Sequence, residues 1–364
     1  MSGSPAHSAG RVGAVALLAV ALAASPSHAA SIEKIASVVV RGGFSIDLAG
    51  NGSAAVFQTN AGEALLWTQS GGLSPLPAWS GTGTGFTGVQ GISGDGSTAV
   101  GHSKSKAVLW QNGVAAPLDA GAGGTGTALA ASGDGSVIVG SSIDAGHGPA
   151  IRYTQSTGIV GLGADGPAYD VSADGSVVVG SDHFQAFRWT QADGLLTLPV
   201  LPPTLFSVGR ADAVSSNGTF VVGGSKGQAF RWTEVGGILG LGVLSSDSAK
   251  IPGTDSSEAF DVSADGSIVV GKTGAVDPES GLPFTDGGFV WTPSGGMQRP
   301  AQFLAGFGID LTGWELREVW GVSDDGTKIL GTGVDQSGAA VWLATIPEPG
   351  TGALVTVGLA GLAL

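Results

Sequence analysis

The stretch DVSADGSVVVG, Asp170 to Gly180, decides how this chain is read. Carboxylates at its first and fifth positions, a hydroxyl at its third and glycine at its sixth give it the front half of a calcium loop. Asp-Gly ahead of a run of valines also gives it the layout of a hairpin turn feeding a strand. Position twelve separates the two readings, because an EF-hand-like loop needs a bidentate acid there. Ser181 stands at that position, and Lys272 stands there in the sister stretch DVSADGSIVVG, Asp261 to Gly271. The full pattern is confined to Asp170, Ser172, Asp174 and to Asp261, Ser263, Asp265; other copies have Gly91, Ala130, Ala213 or Gly321 in the first place. The expectation is a turn whose Asp bonds its own backbone, with calcium as a minor alternative.

The stretch is one of seven. Asn or Asp, then Gly, then Ser or Thr recurs at Asn51, Asp95, Asp134, Asp174, Asn217, Asp265 and Asp325, at spacings of 44, 39, 40, 43, 48 and 60 residues. Six positions on stands Gly101, Gly140, Gly180, Gly223, Gly271 or Gly331, and only the first copy departs, with Phe57. Each copy also carries a second marker: ALLWT at 64–68, AVLW at 107–110, AIRYT at 150–154, AFRWT at 186–190 and 229–233, GFVWT at 288–292 and AAVWL at 339–343. In the fourth copy AYDVS, SVVVGS, AFRWT and GLLTL read as four strands joined by turns. Four strands in about 40 residues, seven times over, predict an all-β chain folded as a seven-bladed β-propeller. The seventh copy lacks a fourth strand. Ile35 to Val40 (IASVVV) is expected to supply it beside Ala339 to Leu343 and so close the ring. Two stretches exceed the period. Residues 271–288, with Pro278 and Pro283, are expected to hold a loop, and the 297–317 bridge a short helix near Ala301 to Phe307.

Composition agrees. The 364 residues include 65 Gly, which disfavours long helices. A hydrophobic share of 42 % with only 12 % charged residues is the opposite of a disordered chain. Fifteen basic against 29 acidic residues give a formal charge of −14, which argues against nucleic acid as a partner. There is no Cys, so disulfides and thiolate metal sites are excluded.

The two ends read as signals. Arg11, the apolar run Val12 to Ala24 and small residues before Ala29 have the three-part layout of a secretory signal peptide over residues 1–29. Residues 30–345 form the repeat domain. Residues 346–364, IPEPGTGALVTVGLAGLAL, set Pro347, Glu348 and Pro349 ahead of an apolar run. This segment resembles the PEP-CTERM sorting signal of Gram-negative bacteria. The resemblance implies an exosortase-type processing enzyme as partner, transient contact with the inner membrane and display outside the cell. The closing Arg cluster of that family has no counterpart after Leu364. The 14 apolar residues from Thr351 reach about two-thirds of a bilayer core, so poor anchoring is expected. From about 45 to 345, AFDVSADGSIVVG and AFRWT resemble the HAF repeats of secreted bacterial proteins, and FLAGFGIDLTGWEL resembles their bridge before the last repeat. That label carries no established reaction.

Candidate chemistry is sparse. Arg152, Arg188 and Arg231 share one repeat position, as a ligand arc for an anionic polysaccharide or as stems packed on the sheet with heads on turn carboxylates; the packed reading is preferred. The mature chain's His102, His147 and His183 lie in different copies without metal-site spacing. GGSKG at 223–227 matches a nucleophile elbow by letters but joins two strands. The glycine patterns GTGFTG (83–88) and GAGGTG (121–126) lack a βαβ setting. Thr82/Thr84 and Thr125/Thr127 do not recur in register, which weakens an ice-binding reading. Asp47, Asp170, Asp212 and Asp261, on first strands, are the best catalytic candidates. The expectation is an exported, non-enzymatic binding or structural propeller at the cell surface or in exopolysaccharide, with no cofactor or metal. The alternative is an extracellular glycan hydrolase or lyase.

Overall fold

The computed structural model describes residues 29–40, 45–82, 85–118, 126–142, 148–202, 209–244, 255–276 and 283–348. The expected signal segment through His28, the apolar run after Pro349 and the residues Thr84, Thr125 and His147 lie outside the described residues.

The chain is a seven-bladed β-propeller of four-stranded antiparallel sheets. Blades 1 to 6 occupy 46–75, 87–117, 127–161, 168–197, 209–242 and 256–298, with their strands in chain order from the axis outward. The first strands touch one another in sequence, and Ile46–Leu48 of blade 1 meets Glu315–Val322 of blade 7, so the ring is closed. Hydrophobic clusters fill the gaps between blades: Val177 and Val179 of blade 4, for example, pack with Val221, Phe230 and Trp232 of blade 5.

Blade 7 is completed from the N-terminus, in the order Glu315–Val322, Lys328–Asp335, Gly338–Thr345 and, outermost, Ser31–Ala36. The clasp strand therefore lies upstream of the expected Ile35 to Val40. Ser31 pairs with Thr345 and Ala36 with Val341, with a bulge between Lys34 and Ala36. Lys34 fixes the register with an ion pair to Asp335 at 2.7 Å, while Ile35 and Ala36 are buried. The valine run has a different use. Val38 and Val40 pack on the cluster shared by blades 7 and 1, and Val40 bridges to Thr59.

Both repeat markers have physical reasons. In blade 4 the turn glycine Gly175 has φ 71°, the left-handed region that favours glycine. The second glycine, six residues beyond the turn Asp, answers a bulge in the inner strand. In blades 2 to 7 the ladder between first and second strands shifts register. A Cβ on Gly101, Gly140, Gly180, Gly223, Gly271 or Gly331 would run into the carbonyl oxygen of the residue 13 positions earlier. Blade 1 carries Phe57 there, and its ladder has no shift. The Thr of the second marker accepts the N–H three residues on, as in Gly71 N–H to Thr68 Oγ1 at 3.0 Å, and so shapes the next hairpin.

The long spacings resolve differently. Residues 271–288 are largely ladder, since Val269–Val276 pairs with Pro283–Thr292 through Val276 opposite Pro283. Pro278 lies outside the described residues. The bridge holds one helix, α1, Pro300–Ala305. It starts one residue before the expected position because proline suits the first helical turn. It ends at Gly306, with Leu304 buried beside Val319 and Trp342. At the C-terminal end Ile346 is buried and donates its N–H to Thr327 O at 2.8 Å, so it belongs to blade 7. Pro347 is half-buried, Glu348 is exposed, and Pro349 lies outside the described residues.

Candidate functional site

The Asp-Gly turns gather at one end of the propeller. In blade 4 Asp174 Oδ1 accepts Ser172 Oγ–H at 2.7 Å and Ser176 N–H at 3.0 Å, while Ser172 Oγ accepts Val177 N–H at 3.0 Å. The same set recurs at Asp95, Asp134, Asp265 and Asp325, and with Asn at Asn217. Hydrogen bonds to the charged form hold Asp134 and Asp174 below the usual carboxylate range. These turns also join blade to blade. Asn51 N–H reaches Gly94 O, Asp95 reaches Gly133, Gly133 reaches Ala173, Ala173 reaches Ser216, Ala264 reaches Asp324 and Asp324 reaches Gly50, all at 2.7–2.9 Å. The remaining step is made by a side chain, Asn217 Nδ2 to Ala264 O at 2.6 Å. A belt of seven cross-blade hydrogen bonds runs round this end.

The first strands enclose an axial channel of about 150 Å³, and the four candidate carboxylates stand along it. Three of them staple neighbouring blades. Asp47 accepts Leu48 N–H at 2.8 Å and Ile92 N–H of blade 2 at 2.9 Å. Asp170 accepts Val171 at 2.7 Å and Val214 of blade 5 at 2.8 Å. Asp261 accepts Val262 at 2.7 Å and Val322 of blade 7 at 2.8 Å. The blade receiving each staple has Gly91, Ala213 or Gly321 at the matching position, leaving room for the carboxylate. Burial pushes Asp47 up to about 6 and Asp170 up to about 7, against the two N–H donors each holds, and raises Asp261 as well. The calcium-like pattern is thus divided: Asp170 and Asp261 face the channel on backbone N–H groups, while Asp174 and Asp265 close their own turns.

Asp212 is not an equivalent of these three. It stands five residues before the turn Asn rather than four, at the position of Ile46, Gln90, Leu129, Tyr169, Phe260 and Trp320. Its carboxylate lies 2.7 Å from Arg210 Nε and is 1 % exposed. Arg210 Nη2 reaches Glu258 at 2.8 Å, and Lys272 reaches the other oxygen of Glu258 at 3.1 Å. Arg210 lies over the Tyr169 ring at 5.6 Å. Lys272 lies over Phe260 at 5.2 Å, and Phe260 stacks on Trp320 at 4.7 Å. Burial raises Asp212 to about 8, with the Glu258 charge adding to it against the Arg210 guanidinium. Burial also works against the Arg210 charge, but Asp212 and Glu258 outweigh it and Arg210 is held up, charged.

Asp212, Phe260 and Trp320 of this network line the channel, while Tyr169, Arg210, Glu258 and Lys272 line a cup of about 980 Å³ at the end of the propeller away from the belt. Blades 4, 5 and 6 build it, with Tyr169, His183, Phe184, Lys226 and Lys272 among its walls. Two hairpins stand on its rim. His183 and Phe184 form a two-residue turn with φ 45° and 65°, and Lys226 and Gly227 form another with φ 53° and 76°. Such turns favour Asn-Gly, and a bulky residue at positive φ is strained by about 1–2 kcal/mol. Phe184 is nonetheless 78 % exposed. Strain held at an exposed aromatic on a cavity rim points to a function for that side chain. His183 Nδ1 lies 2.9 Å from Asp182 and Nε2 lies 3.1 Å from Asp165, which ties the turn to the loop entering blade 4. Among the described residues these three are the group that could hold a metal ion, their ligand atoms lying within 4.8 Å of one another.

The arginine arc lies elsewhere, between blades. Arg152 Nη2 donates to Gly175 O of blade 4 at 3.3 Å. Arg231 Nη1 donates to Gly266 O of blade 6 at 2.7 Å, and its guanidinium sits over Phe220 at 5.2 Å and Trp291 at 5.0 Å. Arg188, half-buried, occupies the same register opposite Val179. Arg152 and Arg231 thus meet turn carbonyls of the next blade, where the sequence suggested turn carboxylates.

Sequence reasoning missed Tyr169, Phe184, Arg210, Glu258 and Lys272. The available signal was departure from the repeat: Tyr169 and Asp212 stand where other copies carry Ile46 and Leu129, Arg210 and Glu258 where others carry Gly88 and Thr127, and Lys272 where another carries Gly224. In comparison with known proteins, no family model matches the chain and no curated protein matches it.

Proposed function

We propose that the chain is an exported, non-enzymatic binding module that holds an extracellular saccharide in the cup over blades 4 to 6. The observation that carries this reading is Phe184, exposed at 78 % and held at φ 65° on the rim of a 980 Å³ cavity with a charge-paired floor. An aromatic face beside fixed polar groups is how a protein holds a sugar ring, which offers C–H groups on one side and hydroxyls around its edge. The layout of residues 1–29 supports export, and Pro347, Glu348 and Pro349 support sorting to the cell surface or exopolysaccharide by an exosortase-type enzyme. The HAF-like repeats fit a secreted setting.

An enzymatic reading would rest on Asp212 and Glu258, two carboxylates in different environments on one guanidinium. Asp212 is 1 % exposed, which keeps it from a substrate, so binding is the better account. A glycan array with residues 30–348, followed by a hydrolysis assay on each hit, tests both. Retention of intact glycan supports the binding module. Turnover of a hit replaces it with a hydrolase or lyase, and an array without hits refutes it.

A further inference from the structure

We propose that Asp165 and His183 bind a borderline divalent cation, Zn²⁺ in kind, on the rim of blade 4, with Asp182 holding the imidazole in place. This site does not depend on the saccharide reading of the cup. It shows first as a departure from the repeat. In the hairpin between second and third strands, blade 2 has Ser103 and Lys104 and blade 5 has Ser225 and Lys226, where blade 4 has Asp182 and His183. A hydroxyl and an ammonium, which has no lone pair to offer a cation, give way to a carboxylate and an imidazole, both metal ligands. The loop entering the same blade adds a second carboxylate, Asp165. Neither Asp165 nor Asp182 is paired with a lysine or an arginine among the described residues. With the imidazole neutral the group carries two negative charges, which match a dication.

The geometry assigns each group a part. Asp165 N–H donates to Asp182 Oδ1 at 2.9 Å, so loop and hairpin are joined by a bond in which the imidazole takes no part. His183 Nδ1 lies 2.9 Å from the same Oδ1. With Nδ1–H donating to Asp182, the lone pair of Nε2 is left for an ion, the usual arrangement of a carboxylate behind a metal-bound histidine. Nε2 faces Asp165 Oδ2 at 3.1 Å. Two ligands each about 2.0–2.2 Å from one ion stand roughly 3–3.5 Å apart in octahedral or tetrahedral coordination, so this pair is already spaced for one. Asp165 and His183 line the cup and Asp182 does not. Their side chains are 71 % exposed, against 23 % for Asp182. An ion on Nε2 and Asp165 thus turns its remaining positions to the cup, where water or the hydroxyls of a ligand complete them. The imidazole selects the borderline metals over Ca²⁺ and Mg²⁺, which take oxygen ligands. The ion would tie a loop to a hairpin within blade 4 and no blade to another, so the ring closes without it.

The test is equilibrium dialysis of residues 30–348 against Zn²⁺, with Ca²⁺ and Mg²⁺ dialysed beside it and no saccharide present. The expected result is one Zn²⁺ retained per chain in preference to the other two ions. His183→Asn, which suits the positive φ, and Asp165→Asn should each abolish that retention without changing the circular dichroism spectrum. Asp182→Asn keeps an oxygen for Asp165 N–H but offers the imidazole a weaker acceptor, and should lower the affinity about tenfold. Asp193→Asn, a carboxylate removed from an exposed turn elsewhere in blade 4, should leave it unchanged. Zinc retained equally by the parent and His183→Asn places the ion elsewhere and overturns the site. Failure of the parent to retain zinc overturns it as well, and leaves His183 as a bridge between two carboxylates. Tighter retention of Ca²⁺ than of Zn²⁺ overturns the assignment of the metal.

Discussion

Raising the pH from 5 to 8 should weaken the fold. The channel carboxylates have an ordinary value of 3.8, and burial lifts Asp47 to about 6, Asp170 to about 7 and Asp212 to about 8. Between 3.8 and the folded value the native state holds a proton that the unfolded chain has lost. The stability these groups contribute is complete below about pH 4 and is lost as pH rises through 6 to 8. Each tenfold gain in proton affinity on folding corresponds to about 1.4 kcal/mol. Asp47 and Asp170 alone, which hold their protons roughly a hundredfold and a thousandfold more tightly in the folded chain, put the loss on the order of several kcal/mol. The turn carboxylates act in the other direction. Their lowered values make their contribution complete above about pH 4 and lost only as pH falls below it, so they do not mask the trend. Urea unfolding of residues 30–348 at pH 5, 6, 7 and 8 reads the effect directly. Asp170→Asn is the control. Its Nδ2 must face one of two N–H donors, costing roughly 1–3 kcal/mol at pH 5, but it cannot ionise, so its pH slope should be shallower. Stability that is flat or rising between pH 5 and 8, or an Asp170→Asn slope equal to the parent's, would refute the reasoning.

Other outcomes follow from particular contacts. Deleting residues 30–37 removes the clasp and exposes the Gly338–Thr345 edge; the midpoint of thermal unfolding should drop sharply and light scattering should reveal association, since a bare strand edge recruits another. Gly140→Ala drives a methyl into Thr127 O and should cost about 2 kcal/mol or more in urea unfolding, whereas Gly161→Ala, which meets nothing within 4 Å, should cost little. Phe184→Gly relieves a strained turn and should raise stability by up to about 1 kcal/mol while weakening saccharide retention, a trade that a calorimetric melt and an affinity gel resolve together. A chelator should shift the melting midpoint by no more than about a degree or two, because Asp170 and Asp261 already spend both oxygens on backbone N–H groups.

How far the sequence reached depends on whether a feature repeats. Blade number and strand number were legible because the turn Asp-Gly and the aromatic marker report local backbone geometry, and local geometry repeats with the copies. The clasp was legible as a need, since one strand was missing. Its register was not, because Val38 and Val40 have the stronger strand propensity while Lys34 and Ile35 have the contacts that fix pairing. The staples were legible as carboxylates on first strands but not as staples. That role rests on the pairing of Asp47 with Gly91, Asp170 with Ala213 and Asp261 with Gly321 across blades 44, 43 and 60 residues apart. The cup was illegible for the opposite reason. Of Tyr169, Phe184, Arg210, Glu258 and Lys272 only Arg210 and Glu258 share a repeat position, with opposite charges, and the stacking of three consecutive blades brings the five to one place.

The clasp also sets a timetable. Ser31 lies opposite Thr345, so the first strand made is the last to find its partner. Until Gly338–Thr345 has emerged, Ser31–Ala36 has no sheet to join, and the inner strand at 46–48 lacks its neighbour at 315–322. A linear array of repeats can settle unit by unit from one end. This ring has no such end, and closing it requires an entropic search across the whole domain. A chain built this way stays open until its last strand has been made, and it acquires resistance to proteases in a single late step.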